Sequence, residues 1–182
     1  MNFVETRLAG AFRVELEPCR DERGFFARTF CRQEFKKRGL AAEFVQCSLS
    51  ATEQAGTIRG LHFQRAPSEE AKLVRCTKGA IFDVIVDLRP KSETYLSHVG
   101  LELTAMNRHA LYVPPMFAHG FQALESGSEV FYQISEFYAP ESSDGLRFDD
   151  PALAISWPLA VSTVSARDRD WPLVTERGRS KP

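Results

Sequence analysis

Apolar positions in this chain come in short bursts rather than long periodic stretches. Runs at 12–16, 44–48, 73–76, 81–88, 99–103, 110–113, 121–124 and 130–137 are mostly strand-length, and several alternate apolar with polar residues, the two-residue period of a half-buried strand. Between them stand turns such as Lys78-Gly79, Pro90-Lys91-Ser92 and Ser126-Gly127-Ser128. That spacing predicts an all-β sandwich or barrel. Helical periodicity is scarce: residues 33–38, closed by Gly39, predict one short helix, and a second is expected after Pro151. There is no internal repeat, and the polar end at 175–182 is expected to fray.

Composition narrows the picture. The 182 residues fit one domain, 1–182, large enough to bury a core without staples. Charged residues make up 26% and the net charge is −1, so there is no basic field for nucleic acid and no polybasic patch for a membrane; the expected partner is a small molecule. No stretch approaches the roughly 20 apolar residues of a membrane span, and the N-terminal residues have neither an apolar core nor a cleavage pattern. A cytoplasmic protein is expected. Cys19, Cys31, Cys47 and Cys76 form no C-x-x-C pair, which argues against a zinc knot or redox motif and for reduced, partly buried thiols.

The densest candidate chemistry is Gly56-Thr57-Ile58-Arg59-Gly60-Leu61-His62-Phe63-Gln64, followed by Lys72-Leu73-Val74. It sets a histidine between two fixed cations, Arg59 and Lys72, with glycines that permit close approach, as a base in an anion-binding site requires. Taken alone, a histidine between apolar neighbours in a strand is an ordinary structural residue. His98 and His109 adjoin turns or polar segments and are expected to be solvated. His119, inside Val113-Pro114-Pro115-Met116-Phe117-Ala118-His119-Gly120-Phe121, is expected to be buried, either satisfied by backbone or functional. Alternation along 130–138 turns Tyr132, Ile134, Glu136 and Tyr138 to one face. By its charges alone, Ser165-Ala166-Arg167-Asp168-Arg169-Asp170 is a solvated loop.

Seven segments in order, 21–26, 56–64, 72–74, 83–89, 117–121, 155–158 and 165–168, resemble the nucleoside-diphosphate-sugar epimerases of the dTDP-4-dehydrorhamnose 3,5-epimerase family over nearly the whole chain. The resemblance implies a cupin-like antiparallel jelly roll with a few short helices, a homodimer, an active site inside the barrel, and neither metal nor other cofactor. It implies a nucleoside-diphosphate 4-keto-6-deoxysugar as substrate, inverted at C3, C5 or both through an enolate. Carried over, the general base falls on His62, its orienting carboxylate on Asp168, the proton donor on Tyr132, and the cation for the enolate oxygen on Lys72. Substrate-binding positions fall on Arg23, Arg28, Gln46, Ser48, Arg59, His119, Tyr138, Asp144 and Arg167, with Tyr138 against the nucleotide base and Arg23 and Arg59 on the diphosphate. A histidine titrates near 6.5 and a carboxylate partner makes it a stronger base, which suits proton abstraction near neutral pH.

Four positions depart from the family's pattern. Arg28 stands where a glutamate is usual, Ser48 replaces an asparagine amide, Arg167 replaces a lysine with its charge kept, and Met116 replaces a turn glycine. The nucleotide, dTDP, CDP or GDP, therefore stays open, as do an epimerase acting at C3 or C5 alone and a 3,4-ketoisomerase. A metal-dependent cupin would want an H-x-H pair, and the chain reads His62-Phe63-Gln64. A non-catalytic sugar-nucleotide-binding jelly roll would tolerate loss of His62, Lys72, Tyr132 or Asp168, and all four are present.

Overall fold

The computed structural model describes residues 1–177. The short apolar runs form antiparallel strands in two facing sheets and a small hairpin. The larger sheet orders β1 (Asn2–Glu5), β2 (Phe12–Glu15), β10 (Ala110–Val113), β7 (Lys72–Lys78), β12 (Ser128–Ile134) and β5 (Gln46–Thr52). The second orders β13 (Ser143–Gly145), β6 (Ile58–Gln64), β11 (Phe117–Ala123), β8 (Ala80–Asp87) and β9 (His98–Thr104). The separate hairpin pairs β3 (Cys19–Asp21) with β4 (Gly24–Phe26). This is the all-β, cupin-like architecture expected.

Alternation sorts the side chains into three apolar layers. Val74, Cys76, Leu111, Val113 and Val130 from the larger sheet meet Ile81, Ile85, Leu103, Phe117 and Phe121 from the second between the sheets. Residues of opposite parity face outward: Leu73, Ala110 and Tyr112 pack under α1 (Arg32–Lys36), whose Phe35 is fully buried among Phe3, Phe30 and Phe44. On the other side Leu61, Val84, Val86 and Ala118 are covered by Leu146, Leu153 and Trp157. At about 25 cal/mol per Å² of apolar surface removed from water, these layers are the main stabilising term.

Several local expectations need correction. No helix starts at Pro151, and the next lies only at Ala166: Asp150 accepts from the backbone N–H groups of Ala152, Leu153 and Ala154, and Ala154 at φ 48° turns the chain out of helical geometry. The charged segment read as a solvated loop instead holds α2 (Ala166–Arg169), whose cap Ser165 accepts from the Asp168 N–H and whose Asp168 is buried. The alternation through Tyr138 stops at Ile134, where β12 ends and the Ser135 N–H turns to Ala71 O. His98 and His109 are partly buried rather than solvated, and loss of water pushes both imidazoles below their ordinary value. At the chain's end, Val174–Glu176 forms a 3-10 turn, and the remainder of the segment expected to fray, 178–182, lies outside the described residues. The four thiols are free: Cys76 is buried, which raises it to about 11, Cys31 is partly buried, and Cys19 and Cys47 are exposed. Among the described residues no helix is long and apolar enough to cross a membrane.

The turn before β11 carries a strain the sequence foreshadowed. Met116 sits at φ 62°, in the left-handed region that costs an L-residue about 1–2 kcal/mol. Met116→Gly is expected to raise the unfolding free energy by about 0.5–1 kcal/mol after the entropy of glycine is charged against it. Chemical denaturation checks this, and a lowered midpoint would contradict it.

Candidate active site

The inward parity of both sheets ends in a polar pocket instead of more hydrocarbon. Lys72 shares its face with the core residue Val74, Tyr132 with Val130, Asp83 with Ile81 and Ile85, and His119 with Phe117 and Phe121. His62 lies opposite His119 in the β6–β11 ladder, while Ser48 pairs with Tyr132, and Gln46 and Lys72 both pair with Ile134. Three adjoining hollows of about 220, 210 and 480 Å³ all touch His62. The first takes in Gln46, Lys72, Tyr138 and Arg167; the second Ser48, Arg59, Lys72, His119 and Tyr132; the third Ser50, Arg59, Tyr132, Arg167 and Asp168. His62 and Tyr132 therefore stand on opposite sheets across shared space.

Glycines set the walls. A Cβ on Gly60, at φ 118°, would lie 2.5 Å from Gly120 Cα and 2.8 Å from His119 O. One on Gly120 would meet Arg59 O at 2.6 Å. The two strands close on each other there, and the ladder shifts register between His119 and Phe121. Gly56 likewise faces Ala160 O at 2.5 Å. The close approach expected of Gly56 and Gly60 is thus to neighbouring protein.

Each inward imidazole, and the inward ammonium, has a buried carboxylate. His62 Nε2 lies 2.6 Å from Asp168 Oδ1; because an ionised carboxylate only accepts, Nε2 carries the proton and Nδ1 presents its lone pair. Burial alone would raise the Asp168 carboxyl, but hydrogen bonds from His62, Gly60 N–H and Ser165 hold it below the usual aspartate range. Lys72 Nζ sits 2.9 Å from Glu70 Oε1 and donates to His62 O at 3.2 Å. His119 Nε2 lies 2.8 Å from Asp83 Oδ1, with its ring 6.1 Å from that of Tyr132. The expected pairing of His62 with Asp168 is present, and of the two cations expected beside it, Lys72 is paired with Glu70 while Arg59 has no carboxylate partner among the described residues, donating instead to Thr52 Oγ1 and Ala51 O. Desolvation pushes the Tyr132 phenol far above its ordinary value, with a hydrogen bond to Ser50 opposing, so it is neutral at any working pH.

Tyr138 stands at the mouth, its backbone N–H held by Gln46 Oε1 at 2.7 Å and its phenol lowered by hydrogen bonds from Arg167 and Ser143. Arg167 itself donates to Ser143 Oγ and lies over the Trp171 ring. Three expected site residues line none of these hollows. Arg23 pairs with Asp21 on the β3–β4 hairpin, Arg28 pairs with Glu34, and Asp144 holds Arg177 and Arg65. Conversely, Glu70, Asp83 and Ser50 escaped the sequence reading. Glu70 is two residues before Lys72 and Ser50 two after Ser48, the spacing that puts strand side chains on one face, and Asp83 is an acid inside an apolar strand. Among the described residues no group of three or more His, Cys, Asp or Glu is arranged to hold a metal.

Because Asp168 is lowered on folding, its contribution is complete above the unfolded aspartate value near 3.9 and is lost as pH falls through the lower folded value. Asp168→Asn is expected to cost about 1 kcal/mol at pH 7, a difference from wild type that shrinks below about pH 4. Denaturation at both pH values checks this, and a pH-independent difference would contradict it.

The profile described as dTDP-4-dehydrorhamnose 3,5-epimerase matches residues 5–176. A protein of that name from Methanothermobacter thermautotrophicus is 43% identical over 96% of this chain and 95% of its own. The crystal structure of the Elizabethkingia anophelis NUHP1 enzyme of the same name superposes with a TM-score of 0.94 at 36% identity, covering 97% of this chain and 98% of that one. That of Bacillus anthracis, with TDP and PPi bound, gives 0.91 at 39% identity over 95% and 99%. With a family-wide match and these coverages, the chain belongs to the dTDP-4-dehydrorhamnose 3,5-epimerase family.

Proposed function

We propose that this protein is a single-domain epimerase that inverts C3 and C5 of a dTDP-linked 4-keto-6-deoxyhexose through an enolate. The observation that carries the reading is the placement of a carboxylate-backed imidazole and a neutral phenol on facing sheets of one cavity. A carbon acid beside a ketone is inverted when its proton leaves on one face and another arrives on the opposite face. His62 Nδ1 takes the first proton as the C–H pair moves into the enolate, and the imidazolium is stabilised by Asp168. Lys72 faces the developing oxyanion, with Glu70 fixing its ammonium. Tyr132 delivers its proton to carbon from the other wall; solvent then reprotonates the phenolate and takes the proton from the His62 imidazolium, which resets both groups.

Further features support a nucleotide sugar. Arg59 and Arg167 are cations without carboxylate partners among the described residues, suited to a diphosphate, and the Bacillus anthracis relative holds TDP and PPi. Tyr138 supplies a ring at the mouth for the base. Pairing of two copies along the β5 edge would bury Leu49, exposed at 62%. Free thiols fit a cytoplasmic setting.

Proton NMR of dTDP-4-keto-6-deoxyglucose with the protein in D₂O is expected to show loss of the C3 and C5 signals. His62→Ala should lower the exchange rate by at least about 10²-fold while dTDP still binds. Exchange at one carbon alone would mark a mono-epimerase, and undiminished exchange in the variant would overturn the assignment of the base.

A further inference from the structure

The side chain that stands two residues beyond His62 on the same face of β6 is Gln64, and the mechanism above gives it no role. It is 94% buried, and its amide is spent on backbone: Nε2 donates to Ser68 O at 2.9 Å and Phe137 O at 3.1 Å, and Oε1 accepts from Ala139 N at 2.6 Å. Both donors are used, so little remains to offer a ligand. The groups it grips at Phe137 and Ala139 bracket Tyr138.

We infer that Gln64 is a positioning residue for the nucleotide end of the substrate, holding the segment after β12 so that Tyr138 stays at the cavity mouth. The inference rests on the sugar-nucleotide reading. Beyond Ile134 the chain leaves the larger sheet and enters the second only at Ser143, so no strand ladder fixes the intervening residues. Tyr138 is 59% exposed and has no core to seat its ring; besides the hydrogen bonds from Arg167 and Ser143 to its phenol, its place is set by backbone, through Gln64 on both flanks and Gln46 on its own N–H. Only a side chain that donates and accepts at one end can take both flanks at once, and glutamine has the length to do so from β6. The same residue touches the reacting end indirectly, since its N–H donates to Glu70 Oε2 at 3.0 Å and Glu70 holds Lys72. One strand thus carries the base for chemistry and, two residues on, the clip for recognition.

Gln64→Met keeps the volume and removes the hydrogen bonds. Calorimetric titration with dTDP and steady-state kinetics on the 4-keto sugar are expected to show dTDP binding weakened about tenfold, KM raised to match and kcat within about threefold of wild type. Tyr138→Ala should weaken dTDP similarly, and the double variant should be no weaker than Tyr138→Ala alone, because both remove one unit. Should Gln64→Met fail to fold, Gln64→Glu, which keeps the acceptor for Ala139 N but loses both donors, is read in the same way. Unchanged dTDP binding, losses that multiply in the double variant, or a fall in kcat with KM unchanged would overturn the inference. Wild-type protein that binds no dTDP would instead overturn the function on which it rests.

Discussion

Charge inside a β-sandwich has to be matched, and that constraint organises this molecule. An ionised group taken out of water costs several kcal/mol unless it is paired and hydrogen-bonded. At the polar end of the inter-sheet space the solution is repeated three times, as Asp168 with His62, Glu70 with Lys72 and Asp83 with His119. Asp168 with His62 joins α2 to β6, Asp83 with His119 joins β8 to β11, and Glu70 stands just before β7, which Lys72 begins, so the same contacts that make the buried charges tolerable also fix their geometry. The proton abstraction proposed for this site would need that rigidity, because its base must be presented before the substrate arrives.

Backbone proximity is the second condition. With Gly60 against Gly120, β6 and β11 come closer than any side chain would allow, and the ladder slips one place beside His119. His62 and His119 then line the second hollow together, facing Tyr132 and Lys72 from the other sheet. The apolar layers behind both sheets, centred on Phe35 on one side and Leu61 with Trp157 on the other, hold the walls apart at a fixed spacing.

Most of the sheets could be read in the chain, because short apolar runs bounded by turn residues, such as 81–88 and 110–113, mark strands buried on both faces. The short β1, β3, β4 and β13 could not, being three or four residues long with too few positions to show a period. The helix expected after Pro151 failed because Asp150 and the left-handed Ala154 decide that turn, and the short helix at Asp168 was hidden by its charges. At the site, His62, Tyr132, Asp168 and Lys72 were legible through the family's motifs, whereas Glu70 lies outside the matching segments and Asp83, though it opens one, was given no role, since each matters through a partner. Arg23, Arg28 and Asp144 lie away from the hollows because their partners Asp21, Glu34 and Arg177 hold them elsewhere in the chain.

The account turns on base and acid acting from opposite walls, and the ratio of isotope exchange to net inversion in Tyr132→Phe tests that most directly. If His62 removes the proton and Tyr132 returns one to the other face, the variant should retain washout of the substrate C–H signals in D₂O within about tenfold of wild type while inversion falls by about 10²-fold or more. Equal loss of exchange and inversion would contradict the division of labour, and inversion at the wild-type rate would remove Tyr132 from the reaction.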